Sequence, residues 1–282
     1  MDIAKDIREF LMSRRARITP EQVGFNPGMR RRVPGLRREE AAQLAGVSTE
    51  YYTQIERGNV AGVSNEVLHA VSSALRLSDD ETTHFLNLVR AAGGSRTPPR
   101  SKRAAIQKVP DGVQALIDAM ANAPAIVMAG NLDIVAANSL GRALYAPVFD
   151  RAIGNPNFAK FIFFDSVATQ VFPDWASSAD EAVGLLQAEA ARDPHSPAIT
   201  QIVGELATQS AQFRTRWAAH NVAAHRHGTK RFCHPDFGDL TLTYNVFEVA
   251  AAPGLSLVGY TAEPNSPSAH AMSILASWAV TT

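Results

Sequence analysis

The chain has 282 residues, of which 46% are hydrophobic and 19% charged, and its formal net charge is zero. That length suits about two domains, and that apolar content excludes global disorder. A single cysteine, Cys233, excludes an internal disulfide framework and suits a reducing compartment. The charge is unevenly spread. Residues 1–108 hold 18 Lys/Arg against 12 Asp/Glu, leaving 9 against 15 in the rest of the 27 of each, so a basic first part precedes an acidic second part. A polyanion-binding head on a body without that affinity is the expected arrangement. Asp2, Lys5, Asp6, Arg8 and Glu9 interrupt any leader-like apolar stretch. No apolar run approaches the ~20 residues that span a bilayer, so a cytoplasmic protein with no membrane contact is expected.

In chain order, residues 2–17 read as a helix with Ile3, Ile7, Phe10 and Leu11 on one face and Arg14, Arg15 and Arg17 at its negative end. Residues 18–35 carry three prolines and three glycines and read as a long loop, a kind of segment that is often functional. The loop contains Arg30, Arg31 and Arg32, and Arg37 and Arg38 follow at once. Because this basic run leads into the next motif, phosphate contact is favoured over a solvated charge run.

Leu36 to Gly58 reads as two short helices and a tight turn. Leu36, Ala41, Leu44 and Ala45 form a sparse apolar stripe, Gly46 ends the first helix, and Val47 fills the corner. Ser48 caps the second helix, Tyr52 and Ile55 face inward, and Gly58 stops it. Thr49, Glu50, Tyr51, Thr53 and Gln54 are left on the outer side. This is the layout in which a second helix presents its N-terminal side chains to the major groove of double-stranded DNA. Ser48 opens that surface. Thr49, Glu50 and Gln54 are expected at base edges, and Arg37, Arg38, Tyr51 and Thr53 at phosphates. An ordinary helical hairpin is the plain alternative. Two more helices follow: one after Ser64 with Val67, Leu68, Val71, Ala74 and Leu75 inward, and one opened by the Ser78/Glu81 capping box, with Phe85, Leu88, Val89 and Ala92 inward. An all-α, five-helix domain over residues 1–92 is expected, and residues 93–110, rich in Gly, Pro, Ser and basic groups, read as a linker.

Residues 111–282 have a different texture. A short helix over 111–121 precedes a hairpin of 124–129 and 132–137, then helices at 138–146, 156–171, 176–192, 197–209 and 211–221. Strands follow at 228–236, 239–249 and 255–262, with a closing helix at 266–279. An antiparallel sheet with helices to one side, an α+β module, fits this order. His220, His225, His227, Cys233 and His234 have metal-binding chemistry but no zinc-site spacing, so neither metal nor cofactor is expected. No nucleophile-elbow pattern surrounds a serine or Cys233, and an enzyme is not expected. The aromatic-rich stretch with Phe158, Phe161, Ile162, Phe163, Phe164, Val171, Phe172 and Trp175 reads either as filled core or as the lining of an apolar ligand pocket. The pocket candidates are Phe158, Phe161, Ile162, Phe164, Val171, Phe172 and Trp175. The shortage of charge in this stretch points to a small apolar ligand.

The phrases "VPGLRREEAAQLAGVSTEYYTQIERG", "LDIVAANSLGRALYAPVF", "FPDWASSADEAVGLLQAEAARDP", "GTKRFCHPDFGDLTLTY" and "YTAEPNSPSAHAMSILASWA" resemble XRE-type helix-turn-helix transcriptional regulators with an MmyB-like ligand-binding C-terminal domain. The resemblance implies a PAS-like fold for residues 111–282, a fatty-acid-like ligand, and a pairing of Arg14 or Arg15 with the inward-leaning Glu56. A homodimer is expected, because one helix-turn-helix contacts too few base pairs for specificity. Two rivals are a protein-binding adaptor built on a helix-turn-helix and an enzyme domain fused to a DNA-binding head. The basic Arg30–Arg38 segment speaks against the first and the missing catalytic constellation against the second.

Overall fold

The computed structural model describes residues 2–25, 33, 35–93, 108–219 and 226–279. These fall into two compact units. One takes the described residues of Met1–Arg100, Gln187–Ser196 and Trp217–Ala223, and the other those of Ser101–Leu186, Pro197–Arg216 and Ala224–Thr282.

The N-terminal part is helical: α1 (Ile3–Arg17), α2 (Arg38–Leu44), α3 (Thr49–Glu56), α4 (Asn65–Ala74) and α5 (Asp79–Ala92), with a 3-10 turn at Pro20–Val23 inside the expected loop. Side chains open most of these helices. Asp2 accepts from the Lys5 amide, Ser48 from Tyr51, Ser64 from Val67 and Ser78 from Glu81, while the Glu81 carboxylate returns to the Ser78 amide. Each satisfies an amide that the helix itself leaves open. The core is Ile7, Phe10 and Leu11 of α1 against Tyr52 and Ile55 of α3, Leu68 and Val71 of α4, and Phe85 and Leu88 of α5. Leu44, expected in the apolar stripe, is 37% exposed at the last turn of α2. The chain leaves α3 through Gly58, whose φ is +84° and whose absent Cβ would lie 2.6 Å from Ala4 Cα. A side chain there meets both backbone strain and a clash.

Asp6 sits in the first turn of α1, where its Oδ2 has no hydrogen-bond partner. Burial, then Glu9 and Asp2, raise its pKa from the ordinary 3.8 to about 6. The folded chain therefore holds this proton more tightly than the unfolded chain, and stability declines as pH rises through that window. Asp6→Asn is expected to raise the stability of the helical half by on the order of 1 kcal/mol at neutral pH, after allowance for screening, and to do little at about pH 4. Thermal melts at the two pH values test this; equal effects at both would show that ionisation of Asp6 is not involved.

The second part contains α6 (Asp111–Asp118), β1 (Ala125–Ala129), β2 (Ile134–Ala137), α7 (Ser139–Leu144), α8 (Ala146–Asp150), α9 (Phe158–Phe164), α10 (Ala168–Val171), α11 (Trp175–Arg192), α12 (Pro197–Gln209), α13 (Ala211–Ala218), β3 (His227–His234), β4 (Gly238–Glu248), β5 (Leu255–Ala262) and α14 (Pro267–Ala279). All strand pairs are antiparallel, in the order β2-β1-β5-β4-β3. The α+β class is therefore as expected. One helix expected as continuous is divided, and one short helix, α8, was not expected. Residues 156–171 break at Asp165, whose Oδ1 accepts from the Val167 amide 2.9 Å away, a local bond that competes with the helix. Residues 138–146 end at Tyr145, and α8 restarts with Pro147 in its first turn.

Asn138 joins α6, β1 and α7. Its Oδ1 accepts from the amides of Ala125 and Gly141 at 3.0 and 2.7 Å, and its Nδ2 faces the carbonyls of Ile117, Met120 and Ala123 at 2.8–3.1 Å. Helix α7 then lies so close to β1 that a Cβ on Gly141 would stand 2.3 Å from the Ala125 carbonyl oxygen. Along β3 and β4 the burial alternates as a half-covered sheet requires. Lys230, Phe232, His234, Leu240, Leu242 and Tyr244 face inward; Arg231, Cys233, Thr241 and Thr243 are exposed.

Candidate nucleic-acid interface and sensor core

Helix α3 has two distinct faces. Tyr52 and Ile55 are fully buried and Glu56 is 1% exposed. Ser48, Thr49, Glu50, Tyr51 and Gln54 are exposed, and Thr53 is half-buried. All the expected base-edge residues thus stand on the open face. Ser48 is occupied as the cap, and the Thr53 hydroxyl turns back to donate to the Thr49 carbonyl at 2.7 Å. Asn59, which the sequence reading had not connected to this face, donates from Nδ2 to Gln54 Oε1 at 2.8 Å.

Glu56 holds the helix from behind. Arg15 Nε donates to its Oε2 at 3.0 Å and Arg38 Nε to its Oε1 at 2.8 Å. Arg15 also donates to the Leu36 carbonyl at 2.6 Å. Of the two partners that the resemblance implied, Arg15 is the one found, and Arg38 joins it. Arg14 instead lies against Glu81, with Nε 3.2 Å from Oε1, and burial lowers its pKa to about 10 although Glu81 opposes the shift. Arg38, expected at phosphates, is half-exposed with its guanidinium turned to Glu56. Arg37 precedes α2, its amide donating to Glu40 at 2.6 Å and its side chain 3.3 Å from Glu39. Arg30, Arg31 and Arg32 lie outside the described residues.

In the α+β part, Phe158, Phe161, Ile162, Val171 and Phe172 are buried. Phe164 is 38% exposed, away from that cluster, and Trp175 is half-buried with its indole N–H donating to the Ile162 carbonyl at 2.9 Å. Phe172 meets Phe158, Phe161, Tyr145 and Phe232 at ring separations of 5.4–6.4 Å, the spacing of packed aromatic pairs. The expected shortage of charge does not hold in three dimensions. Lys230 enters from β3 and is 7% exposed, with Nζ 2.7 Å from Glu181 Oε2 and 4.4 Å from the centre of the Phe158 ring. Burial is the largest single influence and disfavours its charge, but Glu181, Tyr145 and Tyr244 together outweigh it and the Lys230 pKa is raised. The Tyr145 and Tyr260 hydroxyls meet each other beside this pair, and burial raises both pKa values. Strand alternation offered one sign of Lys230, which shares an inward register with Phe232 and His234. Glu181, from a helix 49 residues away, had none.

His234 is buried on the same face. Its Nδ1 accepts from the Asp236 amide at 3.1 Å, which leaves Nε2 to donate to the Ala143 carbonyl at 3.1 Å. Cys233 and His227 are exposed, and His220 and His225 are outside the described residues. Among the described residues, no helix is long and apolar enough to cross a membrane.

The chain matches the family model of a helix-turn-helix domain over residues 12–85 and that of the MmyB-like transcription regulator ligand binding domain over residues 109–275. No curated protein matches it. Both families are regulatory modules, and neither is that of an enzyme. With the second match covering more than half of its length, the chain belongs to the MmyB-like transcription regulators, DNA-binding proteins that pair a helix-turn-helix with a ligand-sensing domain.

Proposed function

We propose that the protein is a sequence-specific, XRE-type regulator that acts as a homodimer in the cytoplasm and responds to an apolar or fatty-acid-like ligand. Residues 1–92 read DNA, 93–110 link, and 111–282 form a PAS-like sensor. The two-faced α3 carries this reading: its buried face is fully committed to the core, while Thr49, Glu50 and Gln54 stand free of the core on the other. Arg37, Tyr51 and the basic triplet Arg30–Arg32 supply the phosphate contacts, and Ser48, Thr53 and Arg38 position the readers through the bonds described above. On the sensor side, the buried aromatic residues of α9 and α10 support a ligand with an apolar body. The Lys230–Glu181 pair among them favours one that also carries a polar head.

Selection of bound fragments from random DNA with the full-length protein tests the first half of this proposal. A dimer on a palindrome with about one helical turn between half-sites is the expected product. Gln54→Ala should cost ~1–3 kcal/mol at one operator position and relax the preference there. Uniform weakening on all sequences would remove Gln54 from the readers, and no enrichment of any fragment would leave the adaptor reading in its place.

A further inference from the structure

We propose that the outward face of α14 is a self-association surface on which a second copy of this chain packs, with the two-fold axis passing beside Ile274. This rests on the homodimer reading above and names the surface that serves it. Helix α14 turns Ser268, Met272 and Leu275 into the fold, and all three are buried. Its opposite side carries His270, Ser273, Ile274, Ser277 and Trp278, all exposed. Two of these are large and apolar and stand one turn apart: Ile274 is 47% exposed and Trp278 50%. The half-buried ring of Phe237, in the turn between β3 and β4, lies 6.2 Å from that of Trp278 and continues the apolar surface beyond the helix. Contiguous apolar surface of this kind marks an interaction site, whereas a single exposed residue does not.

Charge decides the occupant. Residues 267–282 contain no lysine, arginine, aspartate or glutamate, in a chain of which 19% is charged. Nucleic acid and an anionic membrane surface are recognised through cations, which this helix lacks. A different protein would find no charge on it for its own to complement. A second copy needs none. In an isologous contact each residue faces members of the same patch, so a charge beside the axis would meet itself. With Ile274 at the axis, two antiparallel α14 helices set Trp278 of each copy against the His270 turn of the other. At 13 residues α14 is about 20 Å long. One face of that length falls short of the ~800 Å² per partner of a standard interface, so the dimer is expected to be weak and to dissociate on dilution.

Sedimentation velocity of the full-length protein over a hundredfold range of concentration tests this surface. The parent is expected to pass from monomer to dimer. Ile274→Glu and Ile274→Lys, each checked for the parent's far-ultraviolet circular dichroism, are expected to stay monomeric alone, because each sets like charges together at the axis. Mixed in equal amounts, they are expected to form dimers. Ile274→Cys in a Cys233→Ser background brings no charge and keeps the test open should a charged variant unfold. Mild oxidation is expected to convert it to a covalent dimer, since the two thiols meet across the axis. If the parent dimerises and both charged variants do so with the same concentration dependence, the α14 surface is overturned and the homodimer reading stands. Folded charged variants that stay monomeric when mixed, or a cysteine variant that yields no covalent dimer, overturn pairing about Ile274. A parent that is monomeric at every concentration overturns this inference and the homodimer reading together.

Discussion

Glu56→Ala is expected to destabilise the helical half by about 3–5 kcal/mol, the usual penalty for removing one member of a buried ion pair. Arg15 is 12% exposed and loses the carboxylate at 3.0 Å, and Arg38 loses its partner at 2.8 Å. Arg15 keeps the Leu36 carbonyl at 2.6 Å, which carries no compensating charge. Such a loss is a large fraction of a domain's total stability, ~5–15 kcal/mol. Arg38→Ala should cost much less, because its guanidinium is half-exposed and water can take over part of the role of Glu56. Denaturation followed by far-ultraviolet circular dichroism, with Glu56→Gln as the near-isosteric control, measures both. A cost for Glu56→Ala no greater than that for Arg38→Ala would show that Glu56 is not a keystone of the fold. A DNA-binding consequence follows as well: Glu56 ties α3 to Arg15 of α1 and Arg38 of α2 in addition to the packing of Tyr52 and Ile55, so its loss loosens the outer face of α3.

The second large effect is expected in the sensor. Lys230→Met retains length and apolar volume among the rings of Phe158 and Tyr244 but leaves Glu181, at 13% exposure, without the cation 2.7 Å away. A loss of ~3–5 kcal/mol is expected. Adding Glu181→Leu should restore most of it, since replacing both members of a buried pair by apolar groups is often neutral. Trp175 and Trp278 belong to the same unit as Lys230 and Trp217 to the other, so urea unfolding is followed by tryptophan fluorescence in a Trp217→Phe background. The single and double variants form a cycle with the parent. A double variant as unstable as the single one would mean that the methionine packs badly, and that the charge is not the cause.

What could be read from the chain was what is local. Ser48, Gly58 and the spacing of Tyr52 and Ile55 located α3, because caps and faces are set within a few residues. The strands at 227–234 and 255–262 were legible because alternation has a short period. Leu44 was misplaced because a helix of seven residues has too few turns to decide its own buried side. The joining of Glu56 to both Arg15 and Arg38 spans separations of 41 and 18 residues, and local spacing could not choose between Arg14 and Arg15. The pairing of Lys230 with Glu181 is a tertiary event of the same kind, which is why a cluster that reads as purely apolar in sequence contains an ion pair in space. Asn59 had a weaker sign: a polar residue directly after the glycine that ends a recognition helix returns toward that helix.

The strand order carries a consequence for synthesis. β5 is the last strand of the chain, yet it lies between the hairpin β1–β2 and the hairpin β3–β4 and is hydrogen-bonded to both. Until residues 255–262 leave the ribosome, two half-sheets have no shared neighbour, and β1 must wait about 125 residues for the strand that completes it. The helical half waits for less: among the described residues its buried core comes from residues 7–89 with the addition of Ala191, all made before β5. A nascent chain is therefore competent to fold its DNA-binding head well before its sensor exists. A ribosome stalled before Leu255 would present the head folded and the sensor as two unjoined hairpins, a state that ligand cannot yet govern.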